Sequence, residues 1–183
     1  MDLLAGIESR TSATRLGEPA PAREQLTRII AAGTRAPDHG RLRPWRFVVL
    51  EGDARRKLGD AMADMLLAKM PTATPDQLEG ERRKPLRAPS IVVVAAHITK
   101  GKIPEIEQVL AAGAAVQNML LAAQALGFGT MWKTGGAAYD ANVKRMLGLE
   151  AEDHIVGFVY LGTTVTAGPL VPAPLDDSVL RWL

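Results

Sequence analysis

Hydrophobic residues recur at intervals of three and four along much of the chain, and this spacing predicts helices with one buried face. The longest such stretch is rich in alanine and contains Gly113, and these small residues would allow a second helix, of this chain or of a partner, to approach closely. The pattern predicts helices at 3–10, 19–33, 54–70, 104–126 and 142–147, and a charged segment with possible helical character at 77–84.

A second pattern consists of short apolar runs bounded by glycine, proline or charged residues, and it predicts strands. The run at 90–96 is continuously apolar, which is typical of a strand buried on both faces at the centre of a sheet. Similar runs predict strands at 45–50, 129–135 and 154–162. The segments at 10–15 and 34–44 are polar or turn-rich, and we expect loops there.

Beyond Gly162 the chain is proline-rich and then ends in large apolar residues. Proline opposes regular structure, whereas apolar side chains favour burial. We therefore expect residues 1–183 to form a single domain, with an extended tail at about 163–183 that lies across a partner subunit. The apolar residues at the end of the tail are Val179, Leu180, Trp182 and Leu183.

Composition narrows the possible classes of protein. The 183 residues are 47% hydrophobic and 23% charged, as in globular proteins, and there are no cysteines, so a disulfide scaffold and a thiolate metal site are excluded. A net charge of +2 is too small to indicate a nucleic-acid partner and mildly favours an anionic ligand. The acidic, interrupted N-terminus does not look like a signal peptide, and Gln and Asn interrupt the apolar stretch at 110–128. We expect a soluble, cytoplasmic protein without a membrane association.

Several common sites of chemistry are absent from the sequence. It contains no Gly-x-Gly-x-x-Gly or Walker motif, which argues against a tightly held Rossmann cofactor. It also lacks the Gly-x-Ser-x-Gly elbow of many hydrolases. His39, His97 and His154 are scattered, so we expect no metal site, and we interpret His97 and His154 as structural.

Two polar segments suit a flavin. Arg10, together with Thr11 or Ser12, could hold a phosphate by charge-assisted hydrogen bonds. Lys133 could stabilise the negative charge of a reduced flavin at the N1/C2 edge of the ring. Such a site needs no catalytic side chain, because the flavin carries the redox chemistry. Taken singly, however, Arg10 could be a cation at a helix end, and Trp132 could be a core residue.

Four segments in this order resemble the nitroreductase family over essentially the whole chain, in particular its smallest, single-domain members. They are Ser-Arg-Thr-Ser-Ala at 9–13, Arg-Ala-Pro-Asp-His at 35–39 followed by Pro-Trp at 44–45, Gly-Phe-Gly-Thr-Met-Trp-Lys at 127–133, and Ile-Val-Gly-Phe-Val-Tyr-Leu-Gly at 155–162. The resemblance implies an α+β fold of three layers, in which helices flank a central, mainly antiparallel sheet. It also implies a homodimer with FMN at each of two sites between the subunits.

The resemblance also implies which residues bind the cofactor. One subunit would contribute the segment at 10–12, the partner would reach the same flavin from the loop at 35–39, and the segment at 131–133 would lie along the ring. The expected FMN-binding residues are Arg10, Thr11, Ser12, Arg35, His39, Met131, Trp132 and Lys133. Thr11 and Lys133 depart from the arginines of the family pattern, and lysine lacks the bidentate geometry of arginine.

The function implied by the resemblance is transfer of hydride from NAD(P)H through FMN to a nitroaromatic, quinone or similar acceptor. One alternative is a flavin-binding carrier or sensor without reductase turnover. Another is a nucleic-acid-binding module that uses the arginines at 35–46. The segment at 70–87, which is charged and bounded by prolines, is a candidate for a variable cover over the site.

Overall fold

A computed structural model describes residues 2–171, 176 and 178–183. A five-stranded sheet lies between two layers of helices, which confirms the α+β fold with its antiparallel sheet. The helices are α1 (Leu3–Ser9), α2 (Arg23–Gly33), α3 (Asp53–Lys69), α4 (Pro75–Arg83), α5 (Glu105–Ala125) and α6 (Ala141–Met146). The strands are β1 (Ala13–Gly17), β2 (Trp45–Glu51), β3 (Ser90–Ala96), β4 (Gly129–Lys133) and β5 (His154–Ala167).

The continuously apolar strand β3 occupies the position that its sequence predicts. It pairs antiparallel with β2 on one side and with β5 on the other, and all of its residues are buried. Strand β5 is longer and has further partners, because β4 pairs with its first part and β1 with its last part. All of these pairings are antiparallel.

Each face of the sheet carries its own hydrophobic core. On one face α3 and α6 cover alternate residues of β3 and β5, including Ile91, Val93 and Phe158. On the other face α2 and α5 cover the intervening residues, including Val92 and Val159. The alternation of side chains along each strand separates the two cores.

The predicted polar loop at 10–15 is wrong in part, because β1 begins at Ala13. The predicted end of β5 at Gly162 is also too early, since the strand continues to Ala167. These two polar segments pair with each other, as Leu16 with Thr164 and Gly17 with Thr163. Neither shows an apolar alternation, and only their long-range pairing makes them strands.

Helix α5 is long and apolar enough to cross a membrane by length and composition alone. It packs against α2 and the sheet, however, and 44% of its apolar window is buried. Ile106 and Leu110 remain 61% and 63% exposed on its outer face. That the protein has no membrane association, and that it is cytoplasmic, stay predictions.

Exposed apolar residues also occur at both ends of the chain. In α1, Leu3 and Leu4 are 69% and 66% exposed, and Trp182 near the C-terminus is 87% exposed. Contiguous exposed apolar patches often mark interaction surfaces, whereas single exposed apolar residues are common. The prolines at 172 and 174 of the predicted tail lie outside the described residues, and its packing across a partner stays a prediction, as does the single domain.

The contact between α3 and α4 yields a test of the packing. A Cβ atom added at Gly59 of α3 would overlap the backbone carbonyl of Arg82 in α4, whereas a Cβ at Gly80 of α4 would meet nothing within 4 Å. Gly59→Ala should therefore lower the free energy of unfolding by about 1–3 kcal/mol through overpacking. Gly80→Ala should raise it by about 0.5–1 kcal/mol through helix propensity. Urea unfolding measures both, and equal stabilities of the two variants would contradict the close approach.

Candidate functional site

The segment after α1 lines a cavity. Arg10 caps α1 in an extended conformation, and the backbone carbonyl of Ser12 accepts a hydrogen bond from the N–H of Gly168 at 2.9 Å. This bond holds the start of β1 against the end of β5. Together the two segments border an open cavity of about 300 Å³, lined by Arg10, Thr11, Ser12, Thr14, Met131 and residues 168–171.

The polar side chains of this cavity differ in their partners, because the Thr14 hydroxyl donates to the carbonyl of Thr166 at 3.2 Å, whereas those of the Arg10 segment have no partner among the described residues. Among the residues that the structure describes, none forms an ion pair with the guanidinium of Arg10, and none bonds to the hydroxyls of Thr11 and Ser12. An unpaired arginine beside two free hydroxyls is a suitable set of donors for a phosphate. The structure thus brings Arg10, Thr11 and Ser12 together as the phosphate-binding interpretation requires.

The predicted site residues of strand β4 point to opposite faces of the sheet. Met131 and Lys133 lie across from Tyr160 and Phe158 of β5, on the face that carries the cavities. Trp132 points to the other face, where its indole N–H donates to the carbonyl of Val156 at 3.2 Å. Within one chain, the Trp132 side chain is therefore separated from the other two.

Two more cavities continue from the first along β4. Met131 lines both the first and the second, and Arg87, Lys133 and Tyr160 line both the second and the third. The third cavity, of about 250 Å³, is also lined by Lys84. A row of cavities therefore runs from the Arg10 segment to a group of cations, which we call the cationic cluster and define as Lys84, Arg87 and Lys133.

Burial and like charges affect the ionisable groups of this region. Burial lowers the pKa of Lys133, and the nearby charges of Arg87 and Lys84 lower it further. Burial likewise raises the pKa of Tyr160 to about 12, although Arg87 opposes the shift. The Lys133 ammonium lies 5.9 Å from the centre of the Tyr160 ring. The region is thus strongly cationic, and its phenol remains protonated at neutral pH.

The sequence alone does not identify Lys84, Arg87 and Tyr160 as site residues. The first two belong to a short 3-10 turn, Lys84–Arg87, that follows α4 and leads into β3. The sequence feature that could have indicated Lys84 and Arg87 is a run of basic residues just before a buried strand. This run lies within the segment that we expect to cover the site. Tyr160 is the one hydroxyl-bearing residue in the apolar run at 155–162.

His39 lies far from this row of cavities. The imidazole Nδ1 of His39 contacts the carboxylate of Glu107, in the first turn of α5, at 2.5 Å. The Arg10 segment lies at the other end of α5, where Gln124 donates to the carbonyl of Gly6 at 3.1 Å. Residues 107 and 124 of one helix are about 25 Å apart at 1.5 Å per residue. One chain therefore does not bring His39 to the Arg10 segment. Arg35 follows Ala32, whose carbonyl accepts a hydrogen bond from the side-chain amide of Asn118 in α5 at 3.3 Å.

The other two histidines form pairs with carboxylates. His97 contacts the buried Asp153 at 2.8 Å, and His154 contacts Glu105 at 3.0 Å. Among the described residues, no group of three or more His, Asp or Glu side chains is arranged to hold a metal ion. These contacts support a structural role for His97 and His154.

Comparisons with known proteins match nearly the whole chain. Residues 7–163 match the family model described as the nitroreductase family. The chain is 41% identical to the "Putative NAD(P)H nitroreductase YdjA" of Escherichia coli K12 over 165 residues, which cover 89% of this chain and 88% of that protein.

Solved structures agree in fold. A nitroreductase-like family protein from Bacillus cereus superposes with a TM-score of 0.86 at 24% identity, covering 100% of this chain and 96% of the other. A Desulfovibrio desulfuricans protein, solved in complex with FMN, superposes with a TM-score of 0.74 at 28% identity, covering 100% of this chain and 98% of the other. The resemblance seen in the sequence is thus confirmed by both sequence and structure.

Proposed function

Because this chain belongs to the nitroreductase family, we propose that it is an FMN-dependent oxidoreductase that passes electrons from NAD(P)H to a nitroaromatic, quinone or similar acceptor. The FMN bound by the Desulfovibrio desulfuricans protein supports the choice of cofactor. When bound, FMN supplies the redox chemistry, and the protein supplies binding, orientation and electrostatic tuning.

The main support for this proposal is the first cavity, which is lined by the Arg10 segment. Its unpaired guanidinium and the hydroxyls of Thr11 and Ser12 fit a phosphate group. From there the row of cavities passes Met131 and reaches Lys133. A flavin bound in this direction would have its phosphate at Arg10 and its ring beside β4. Lys133 would then stabilise negative charge on the ring.

We also propose that the active form is a homodimer with one flavin site at each of two interfaces. His39 lies at the opposite end of α5 from Arg10, so it could contact the same flavin only from a second subunit. Arg35 belongs to the same loop as His39, and we propose that it reaches the flavin from the same subunit as His39. The exposed apolar residues of α1, such as Leu3, and of α5, such as Leu110, supply surface for such an interface.

An absorption spectrum of the purified protein tests the cofactor and the activity together. We expect a flavin spectrum, either as purified or after addition of FMN, that bleaches with NAD(P)H under anaerobic conditions and returns when an acceptor is added. A protein that neither carries nor takes up flavin would refute the proposal. A bound flavin that NAD(P)H fails to bleach would instead indicate a carrier or sensor.

The phosphate role of Arg10 can be tested with two ligands. Arg10→Gln should weaken FMN binding by about 10- to 100-fold, because a hydrogen bond to a charged group contributes about 1.5–3 kcal/mol. Riboflavin lacks the phosphate, so its affinity should change little. Fluorescence titration measures both dissociation constants. Arg28→Gln removes an exposed arginine of α2 and serves as a control. Equal losses for FMN and riboflavin would contradict a phosphate contact.

A further inference from the structure

His39 contacts a carboxylate on α5, although neither residue is buried. Its Nδ1 lies 2.5 Å from the carboxylate of Glu107, and the two side chains are 67% and 40% exposed. Pairs that are so open to water contribute little to the stability of a fold. The stability of a single chain therefore does not explain this contact. What the contact does determine is the direction of the imidazole.

The contact also determines which ring nitrogen of His39 carries the proton. An ionised carboxylate has only acceptor atoms, so Nδ1 must donate to Glu107. The neutral imidazole then presents a lone pair at Nε2, whereas an imidazole without such a contact can carry its proton on either nitrogen. Glu107 thus prepares Nε2 of His39 to accept a hydrogen bond.

The backbone of the 3-10 turn His39–Arg41 is also held by α5. A Cβ atom added at Gly40 would overlap the Cδ1 atom of Ile103, so the turn packs against the loop that precedes α5. The buried side-chain amide of Gln108 holds this loop. It accepts from the N–H of Thr99 at 2.9 Å and donates to the carbonyls of Thr99 and Ile103 at 2.9 and 3.2 Å. Helix α5 therefore supports the turn by a second route, through the loop.

Backbone strain occurs at the end of this turn and just after it. Arg41 and Arg43 have φ angles of 55° and 50°, in the left-handed region that few residues other than glycine adopt. The carboxylate of Asp38 accepts a hydrogen bond from the backbone N–H of Arg43 at 2.7 Å and helps to fix this conformation. Strain of this kind persists only where surrounding contacts determine the backbone, and it is concentrated at functional sites. The contacts with α5 therefore pre-organise the turn that carries His39.

We propose that Glu107 is a positioning residue for the flavin site formed with the second subunit. It orients His39 and keeps the imidazole proton on Nδ1, so that Nε2 accepts a hydrogen bond from the flavin. FMN has suitable donors in its ring N–H and in the hydroxyls of its ribityl chain. This inference rests on the proposed function, in which His39 contacts the flavin of the second subunit. Glu107 does not need to touch the flavin, because it acts through His39.

The affinity for FMN, measured by fluorescence titration, tests whether Glu107 acts through His39. Glu107→Ala should weaken FMN binding by about 3- to 10-fold, which is the effect of one lost hydrogen bond. Glu107→Gln should recover most of this loss, because its amide oxygen can still accept from Nδ1. In protein that already carries His39→Ala, adding Glu107→Ala should have no further effect.

Glu105 provides a matched control in the same turn of α5. It contacts His154 at 3.0 Å instead of His39, so Glu105→Ala removes the same charge and the same kind of pair. Its affinity for FMN should equal that of the unaltered protein. Both glutamate side chains are open to water, so neither substitution should prevent folding.

The nitrogen chemical shifts of His39 give a readout that a merely structural role would not change. In protein labelled with isotope-enriched histidine, with and without FMN, the neutral imidazole of His39 should carry its proton on Nδ1. Glu107→Ala should shift it towards the form protonated on Nε2, whereas Glu105→Ala should not. The signals that disappear in His39→Ala identify the residue.

Unchanged FMN affinity in Glu107→Ala would overturn the inference, as would an equal loss in Glu107→Gln or Glu105→Ala. An additional loss in the His39→Ala background, or imidazole signals that do not respond to Glu107→Ala, would also overturn it. If the unaltered protein binds no FMN, the proposed function fails and this inference with it. If the protein binds FMN equally well with and without Glu107, only the inference about Glu107 fails.

Discussion

Side chains alternate between the two faces of the sheet along β4 and β5, and this constraint determines what the candidate site contains. The pairing of Met131 with Tyr160 and of Lys133 with Phe158 puts all four side chains on the face that carries the cavities. Trp132 and Val159 lie on the other face, where Val159 belongs to the core beneath α2 and α5. A slip of one residue in this pairing would exchange the two sets and remove both Lys133 and Tyr160 from the cavities.

The electrostatics of the site follow from this framework. Three cations lie near a buried phenol, and the pKa of Lys133 is lowered in part by the two others. Such repulsion is unfavourable in the free protein, so the packing of α3, α4 and β5 must hold the cluster in place. Pre-organised positive charge of this kind is useful where a ligand brings or develops negative charge. The ring of a flavin, which becomes negatively charged on reduction, would be such a ligand.

The sequence predicts those parts of the fold that depend on local pattern. The continuous apolar run of β3 indicates the centre of the sheet, and the spacing of Leu26 and Ile29 indicates α2. Strand β1 is not predictable in this way, because its polar residues become a strand only by pairing with the distant end of β5. The same reason applies to Arg87 and Tyr160, which are far apart in sequence and line the same cavities only in the folded chain.

The residues of the candidate site likewise divide into those whose grouping the sequence predicts and those whose grouping it does not. Ordered motifs identify Arg10, Ser12 and Lys133 as site residues, and the structure gives them a shared row of cavities. The motifs treat residues 131–133 as one segment, although strand alternation separates Trp132 from its neighbours. Arg35 and His39 cannot be assigned from one chain, because their proposed contact depends on a second subunit.

The most direct measurement of the shared site uses hybrid dimers of Arg10→Gln and Arg35→Gln subunits, purified through two different affinity tags. If each flavin is held by Arg10 of one subunit and Arg35 of the other, one site in each hybrid contains both substitutions and the other contains neither. The hybrid should then bind one FMN per dimer with the affinity of the unaltered protein, although each parent dimer binds weakly. Weak binding at both sites of the hybrid would show that each flavin site is formed within a single chain.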